Sequence, residues 1–432
     1  MVKAGFIKGA RRWLAVAGLL ALGGCHHEER PAAAPAAPAP VTITALIWAP
    51  DWQDQMQEVA AQFMRQNPDV RVDVQFMTGN SVEENIRPKV ASHKLPDLMS
   101  VNPNPYSAAL AEHGVLTDVG HTEAWRRMRP SLKADWITQD GKRFGISGGV
   151  AATLMYYNKD MFAKAGITKL PTNFAEFLAV CARLKKAGFT PIYWNGGFPN
   201  IIGNAAFSFG FANNVAARTP DWKARIADGT LNLDTPAGAD IFRKIRTIPQ
   251  RGYAQPNFMR SSHGEGIAAF VNGKTAMAFH GTWAAGLLMH GKGFQTGVFL
   301  PPWNDAGHAA VPVIGSETGF AVCETPKKEA ATRFLEFITG PGFAIQQAKR
   351  QNIAPFQAAP GVPSGDPQIV AYLDAAAAAP VTGSPYYSML PANTIDMLHP
   401  LIQEVLVGKV TPQQAAHRLD ASIRDEAKKH SR

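Results

Sequence analysis

Four tryptophans share one kind of position in this sequence: each stands just after an apolar run. Trp48 closes the run from Val41, with Asp51 and Trp52 beyond it. Trp194, followed by Asn195, sits in Tyr193-Trp194-Asn195-Gly196-Gly197-Phe198. Trp283 follows the run Thr275 to His280, and Trp303 follows Phe299-Leu300-Pro301-Pro302. An exposed indole beside amides and carboxylates suits a sugar. The C–H face of the sugar ring stacks on the indole while fixed acceptors take the hydroxyl protons. In open α/β sheets such ligands lie outside the carboxyl ends of the strands, where these loops would be.

Patterns for covalent chemistry do not occur. There is no Gly-x-Ser-x-Gly elbow, P-loop, His-Glu-x-x-His or Cys-x-x-Cys. The adjacent carboxylates Glu83 and Glu84 read as solvated surface, not as a glycosidase acid/base pair. His280, at the end of an apolar run, reads as structural or as a hydrogen-bonding group. His26-His27 lacks a third ligand at a useful spacing, so neither a metal nor a cofactor is expected. Cys181 and Cys323 read as small buried hydrophobes that cannot reach each other.

The elements that would carry these residues follow from hydrophobic periodicity. Val41, Ile43, Ala45 and Ile47 alternate with a half-apolar set, which predicts a strand covered on both faces. Met56, Val59, Ala60, Phe63 and Met64 recur at helical spacing, and Val70, Val72, Val74 and Phe76 alternate again. Strand, helix and strand in that order predict a βαβ unit with a parallel pair. A third strand is expected at Asp97 to Val101, then the loop Asn102 to Pro105 and a short helix. Further on, the sequence predicts a buried strand over Ala151 to Tyr157 and a helix over Thr172 to Lys186, N-capped by Thr172 or Asn173. A helix is expected over Glu265 to Asn272, a strand over Thr275 to His280, a strand over Thr318 to Cys323 and a helix over Lys327 to Thr339. From about Asp366 the chain reads as mostly helical.

A chain of 432 residues is too long for one ordinary core, so two domains are expected. Its 46% hydrophobic and 18% charged residues fit a folded protein, and three cysteines exclude a disulfide scaffold. Lys3, Lys8, Arg11 and Arg12 precede an apolar run from Trp13 to Leu22, which is the pattern of an export signal. They account for four of the nine net positive charges. The modest surplus left, with no Lys/Arg cluster interleaved with aromatics, argues against nucleic acid. Leu22-Gly23-Gly24-Cys25 resembles the lipobox of bacterial lipoproteins, which implies a signal peptide over 1–24 and lipidation at Cys25. Pro31 to Pro40 consists only of Pro and Ala. As polyproline II it would span roughly 30 Å, so 25–40 reads as a stiff tether holding a body clear of a membrane surface.

Five segments carry a wider resemblance. Pro96-Asp97-Leu98-Met99 through Leu110 to Leu116 resembles a "PDV…LAEAGLL" segment. Tyr156 to Ile167 matches "YYNKDLFEKAGI", and Pro171 to Phe177 stands where "P-x-TWDEF" is expected, with Phe174 for Trp. Phe270 to Met277 with Gly281-Thr282-Trp283 resembles "F-x-x-GKAAM…GSW". Gly319 to Phe337 resembles a returning strand and helix. In this order they resemble the solute-binding proteins of bacterial ABC importers, the family that includes maltose-binding proteins. The resemblance covers most of residues 41 to 430.

The resemblance implies an α/β fold of two lobes with crossing segments as hinge and a ligand cleft between the lobes. Lobe 1 would comprise 41–152 plus 317–352, lobe 2 would comprise 153–316 plus 353–432, and the hinge would run near Ala151, Glu317 and Ile353. It implies a monomer exported to the periplasm or cell surface that takes a mono- or oligosaccharide and hands it, unaltered, to the transmembrane subunits of an ABC permease. Trp283 matches a recurrent sugar-stacking tryptophan. Asn102 stands where many sugar-binding members place an aspartate, so no carboxylate is expected there. Trp48, Asp51, Trp194, Asn195, Trp303 and Glu317 are the other expected lining residues, with Tyr386 of the Tyr386-Tyr387 pair. Two alternatives stay open. The same fold could take a polyol phosphate, for which Gly196-Gly197 and Arg350 are the nameable candidates. A glycan-active enzyme would need two cleft carboxylates, with Asp51 and Glu317 as the test pair.

Overall fold

The computed structural model describes residues 39–50, 52–340, 342 and 365–430. The export signal, Cys25, most of the Pro/Ala segment, Asp51, Arg350 and Ile353 lie outside the described residues. Among the described residues no helix is long and apolar enough to cross a membrane.

The strands in chain order are β1 Val41–Ile47, β2 Val70–Phe76, β3 Leu98–Val101, β4 Val150–Asn158, β5 Ile192–Tyr193, β6 Met277–Gly281, β7 Thr296–Phe299, β8 Ile314–Ser316 and β9 Gly319–Val322. They form two sheets, β2-β1-β3-β9 and β5-β6-β4-β7, with β8 also paired to β4. The expected βαβ unit is present: β1 and β2 run parallel from Val41↔Val70 to Ile47↔Phe76. Helix Gln53–Gln66 crosses between them and buries Met56, Val59, Ala60 and Phe63. Phe63 meets Phe334 and Phe337 at ring-centroid distances of 5.1 and 5.4 Å, which ties the returning helix Lys328–Ile338 to the first sheet. β1 is covered on both faces only over its last three residues, while its first two are exposed.

Helix Phe174–Lys186 begins at Asn173, whose Oδ1 accepts the Glu176 N–H. Helix His263–Val271 starts two residues before the predicted Glu265. Ser262 is the cap and Glu265 closes the capping box from the third helical position. The C-terminal part is helical as expected, with helices Pro367–Ala377, Ala392–Leu406 and Pro412–His430.

Two lobes result, each with its own apolar interior. Residues from Ile43 to Ile146 and from Phe320 to Ile338 pack around the first sheet. Residues from Ala152 to Val313 and from Ile369 to Ile423 pack around the second. Cys181 and Cys323 are buried free thiols in different interiors, and burial pushes the Cys323 thiol up to about 12.

The chain passes between the sheets along a two-stranded antiparallel ribbon. Ile146 pairs with Phe320 at one end and Val150 with Ser316 at the other. Ile146 and Phe320 exchange both backbone hydrogen bonds at 2.9 Å, and the Glu317 N–H donates to Gly149 at 2.9 Å. Gly148 lies opposite Thr318 within this register. A Cβ there would come within 2.3 Å of the Thr318 carbonyl oxygen, so only glycine lets the two segments cross so closely. Ser316 knots the ribbon: its Oγ accepts from Trp136 Nε1 and donates to Ser147 Oγ, both at 2.7 Å.

Candidate functional site

A cavity with about 780 Å³ of atom-free space, part of it open to solvent, lies beside this ribbon and between the two lobes. Each wall grows from a strand end or a helix start. On the first lobe, the loop after β1 presents Trp48, Pro50 and Trp52, and Asn102 follows directly after β3. Trp48 is set by its N–H, which donates to Ser100 Oγ of β3 at 2.9 Å. The ribbon contributes Gly148, Glu317 and Thr318. On the second lobe the wall is Phe198, Asn200, Ile201, Asn204, His263, Trp283, Tyr386 and Tyr387.

Trp283 stands just past β6, in the short turn Thr282–Ala284. Its ring lies across Gly281, where a Cβ would come within 2.1 Å of the indole. Gly281 therefore sets how deeply the indole settles against the strand end. The ring also meets His280 edge-on at 5.7 Å.

The cavity carries a carboxyl group that the sequence reading placed on the surface. Helix Val82–Ala91 starts at Ser81, whose Oγ accepts the Glu84 N–H at 3.1 Å. This turns Glu83 inward, where it is fully buried. Its Oε1 accepts from Asn102 Nδ2 at 2.9 Å and from Asn104 Nδ2 at 2.7 Å, and its Oε2 has no hydrogen-bond partner among the described residues. Burial pushes the Glu83 pKa up, against the two amides that hold it down. The pair Glu83-Glu84 is thus not a solvated pair. Glu84 does stay at the helix edge, where its carboxylate accepts the Asn80 N–H. The Ser-x-x-Glu spacing Ser81 to Glu84 was the available signal for this helix start.

Asn102 now has a physical role. Its Nδ2 donates to Glu83 while its Oδ1 accepts from Thr318 Oγ1 at 2.6 Å. An aspartate at this position could not donate to Glu83 and would set two carboxylates together. The acid of this region comes from Glu83 instead.

Opposite, Tyr386 is fixed by a chain of hydrogen bonds. Its hydroxyl accepts from Asn200 Nδ2 at 3.1 Å and shares a hydrogen bond with His399 Nε2 at 2.8 Å. His399 is buried, and loss of hydration lowers its pKa to about 4, which keeps the imidazole neutral. Burial likewise raises Tyr386 and Tyr387 well above the usual phenol range.

Of the expected lining residues, the cavity brings together Trp48, Asn102, Trp283, Glu317 and Tyr386. Trp194, Asn195 and Trp303 do not line it. Trp303 is fully buried in the second lobe, 4.8 to 5.3 Å from the rings of Phe174, Phe177 and Phe279. Trp194 is buried too, its backbone clasped by Gln255 at 2.9 and 3.0 Å. Asn195 donates to the Ser262 carbonyl and accepts the Phe198 N–H, so it shapes the loop behind the wall. Asp51 lies outside the described residues. Gly196-Gly197 is no open phosphate cradle: a Cβ on Gly197 would come within 2.5 Å of the Ser261 carbonyl oxygen. Trp52, Glu83, Asn200, Asn204 and His263 are lining residues that sequence reasoning did not single out. Among the described residues no group of three or more His, Cys, Asp or Glu side chains could hold a metal.

Comparison with known proteins gives a consistent picture. The family model described as "Bacterial extracellular solute-binding protein" matches residues 49–345. A "Probable sugar-binding periplasmic protein" of Brucella suis is 29% identical over 181 residues, a match spanning 40% of each chain. The "Melibiose/raffinose/stachyose-binding protein MelE" of Bacillus subtilis is 21% identical over 93% of this chain and 92% of its own. Among solved structures, a "Chitin oligosaccharide binding protein" superposes with a TM-score of 0.79 at 22% identity, covering 90% of this chain and 99% of that one. A raffinose complex of the solute-binding protein RafE superposes at 0.72 and 20% identity, covering 89% and 99%.

Proposed function

Since the chain belongs to the bacterial extracellular solute-binding protein family, we propose that it is the lipid-anchored receptor of an ABC importer for a mono- or oligosaccharide. It is a binding protein, not an enzyme, and it releases its ligand unaltered. The observation that carries the reading is one cavity lined by Trp48 of the first lobe and Trp283 of the second, with Glu83, Asn200 and Asn204 supplying polar contacts. A pyranose has two apolar faces and a polar rim, and this wall composition answers both. The sugar-binding names of the relatives point the same way.

The two lobes would rotate about the ribbon 146–150 and 316–320, with lobe boundaries near 152 and 317. A ligand touching both walls stabilises the closed arrangement by its differential affinity, and the closed arrangement is what the permease subunits would receive. Cys25 would carry the lipid and 25–40 would hold the body away from the membrane.

A polyol phosphate is not favoured, because no Lys or Arg lines the cavity among the described residues. The test is thermal denaturation of residues 40–432 against a panel of neutral, amino and phosphorylated sugars. Stabilisation should grow with the logarithm of ligand concentration over Kd for at least one sugar. Stabilisation by phosphorylated compounds alone, or turnover of any sugar, would contradict the reading.

A further inference from the structure

The ionisable side chains of the cavity are unevenly signed. Glu83 and Glu317 line it, with His263, Tyr386 and Tyr387, and no Lys or Arg does so among the described residues. The nearest base on the same helix, Arg87, is engaged elsewhere: its guanidinium meets Asp396 at 2.5 Å and lies 5.6 Å over the Tyr106 ring.

Glu83 is the sharpest case. It is fully buried, the side-chain amides of Asn102 and Asn104 both donate to its Oε1, and its own backbone N–H also favours the charged form. Oε2 has no hydrogen-bond partner among the described residues. Asp396, of the same sign, acts on it through space and raises its pKa further. Burial drives a carboxyl in such a place towards its neutral form, and a neutral ligand closing over it would supply no charge to hold it ionised. A ligand ammonium would. It would give Oε2 a charge-assisted hydrogen bond, about twice as strong as a neutral one. Trp48, Trp52 and Trp283 line the same cavity, and an aromatic face attracts a cation.

We propose that Glu83 selects an amino sugar, binding the protonated amine of the ligand through Oε2, in preference to the neutral sugar of the same skeleton. This rests on the carbohydrate reading above and narrows it to a chemical class.

The test is isothermal titration of matched pairs that differ only in one substituent. Glucosamine against glucose, and the β-1,4 disaccharide and trisaccharide of glucosamine against those of glucose, form such pairs. The N-acetylated series is a third arm with the nitrogen present and its charge removed. The wild-type protein should bind at least one amine-bearing member tenfold or more tighter than both neutral partners, which is 1.4 kcal/mol. In Glu83→Gln, which keeps an acceptor for Asn102 and Asn104, that ratio should fall towards one. The folded state of the variant is checked by its circular dichroism. If the variant does not fold, the wild-type ratio and its decline with added salt decide the matter. Equal or tighter binding of the neutral member overturns the proposal and leaves the carbohydrate reading standing. Binding of none of the sugars overturns both.

Discussion

Arg87 of the first lobe and Asp396 of the second form an ion pair between the lobes, with Nη1 and Oδ2 2.5 Å apart. Ser81 Oγ donates to the other Asp396 oxygen at 3.2 Å, and Asn200 Nδ2 donates to the Asn80 carbonyl at 2.8 Å. These contacts exist only while the lobes are together, so they belong to the closed state's free energy and not to either lobe's own stability. The Arg87 and Asp396 side chains are 28% and 32% exposed, so the pair is worth about 1 kcal/mol at most after solvent screening. Asp396→Asn should therefore weaken ligand affinity about two- to fivefold without touching ligand. Small-angle scattering of the ligand-free variant should show a larger radius of gyration than the wild type. Unchanged affinity together with unchanged scattering would remove the latch from the account.

Trp283 and Gly281 form a second testable pair. Trp283→Ala should lower sugar affinity about two- to twelvefold, since stacking an apolar ring face on an indole contributes about 0.5 to 1.5 kcal/mol. Gly281→Ala should lower it too, by a smaller factor, because the added methyl would sit within 2.1 Å of the ring and push it out of place. Titration calorimetry on both variants checks the order. A Gly281→Ala protein with wild-type affinity would show that the indole's seat does not matter.

His399 makes stability depend on pH. Its pKa is lowered to about 4 in the folded protein from an ordinary 6.5, through burial. The unfolded chain therefore binds the proton first as pH falls. Stability is lost progressively from pH 6.5 down to about 4, where the loss levels off at about 3 kcal/mol. Glu83 and Asp396, whose pKa values burial raises, act in the opposite direction over the carboxylate range. The clean readout is thus the difference between wild type and His399→Gln in urea unfolding. That difference should shift in favour of the variant as pH falls from 7.5 to 4.5, and a pH-independent difference would contradict the assignment.

The first lobe was largely legible because its strands alternate cleanly and its helix Gln53–Gln66 keeps one apolar face. The order of five local segments made the two-lobe fold legible as well. The site was harder, because position after a strand does not say which way an indole points. Trp283 and Trp303 occupy equivalent places in the sequence, yet Trp283 lines the cavity while Trp303 is enclosed by Phe174, Phe177 and Phe279. Glu83 was concealed for a different reason. Two adjacent acids read as solvent-facing, and only the amides of Asn102 and Asn104, 19 and 21 residues away, make burial of one of them tolerable. Long-range partners of this kind leave no periodic trace.

The most direct measurement is a crystal structure of residues 40–432 with the tightest-binding sugar from the titrations. The sugar should lie intact in the cavity beside the ribbon, with one ring face on Trp283, contact with Trp48 from the other lobe, and a ligand donor within hydrogen-bonding distance of Glu83 Oε2. A sugar bound elsewhere on the surface, or one held by a single lobe with Trp48 and Glu83 untouched, would contradict it.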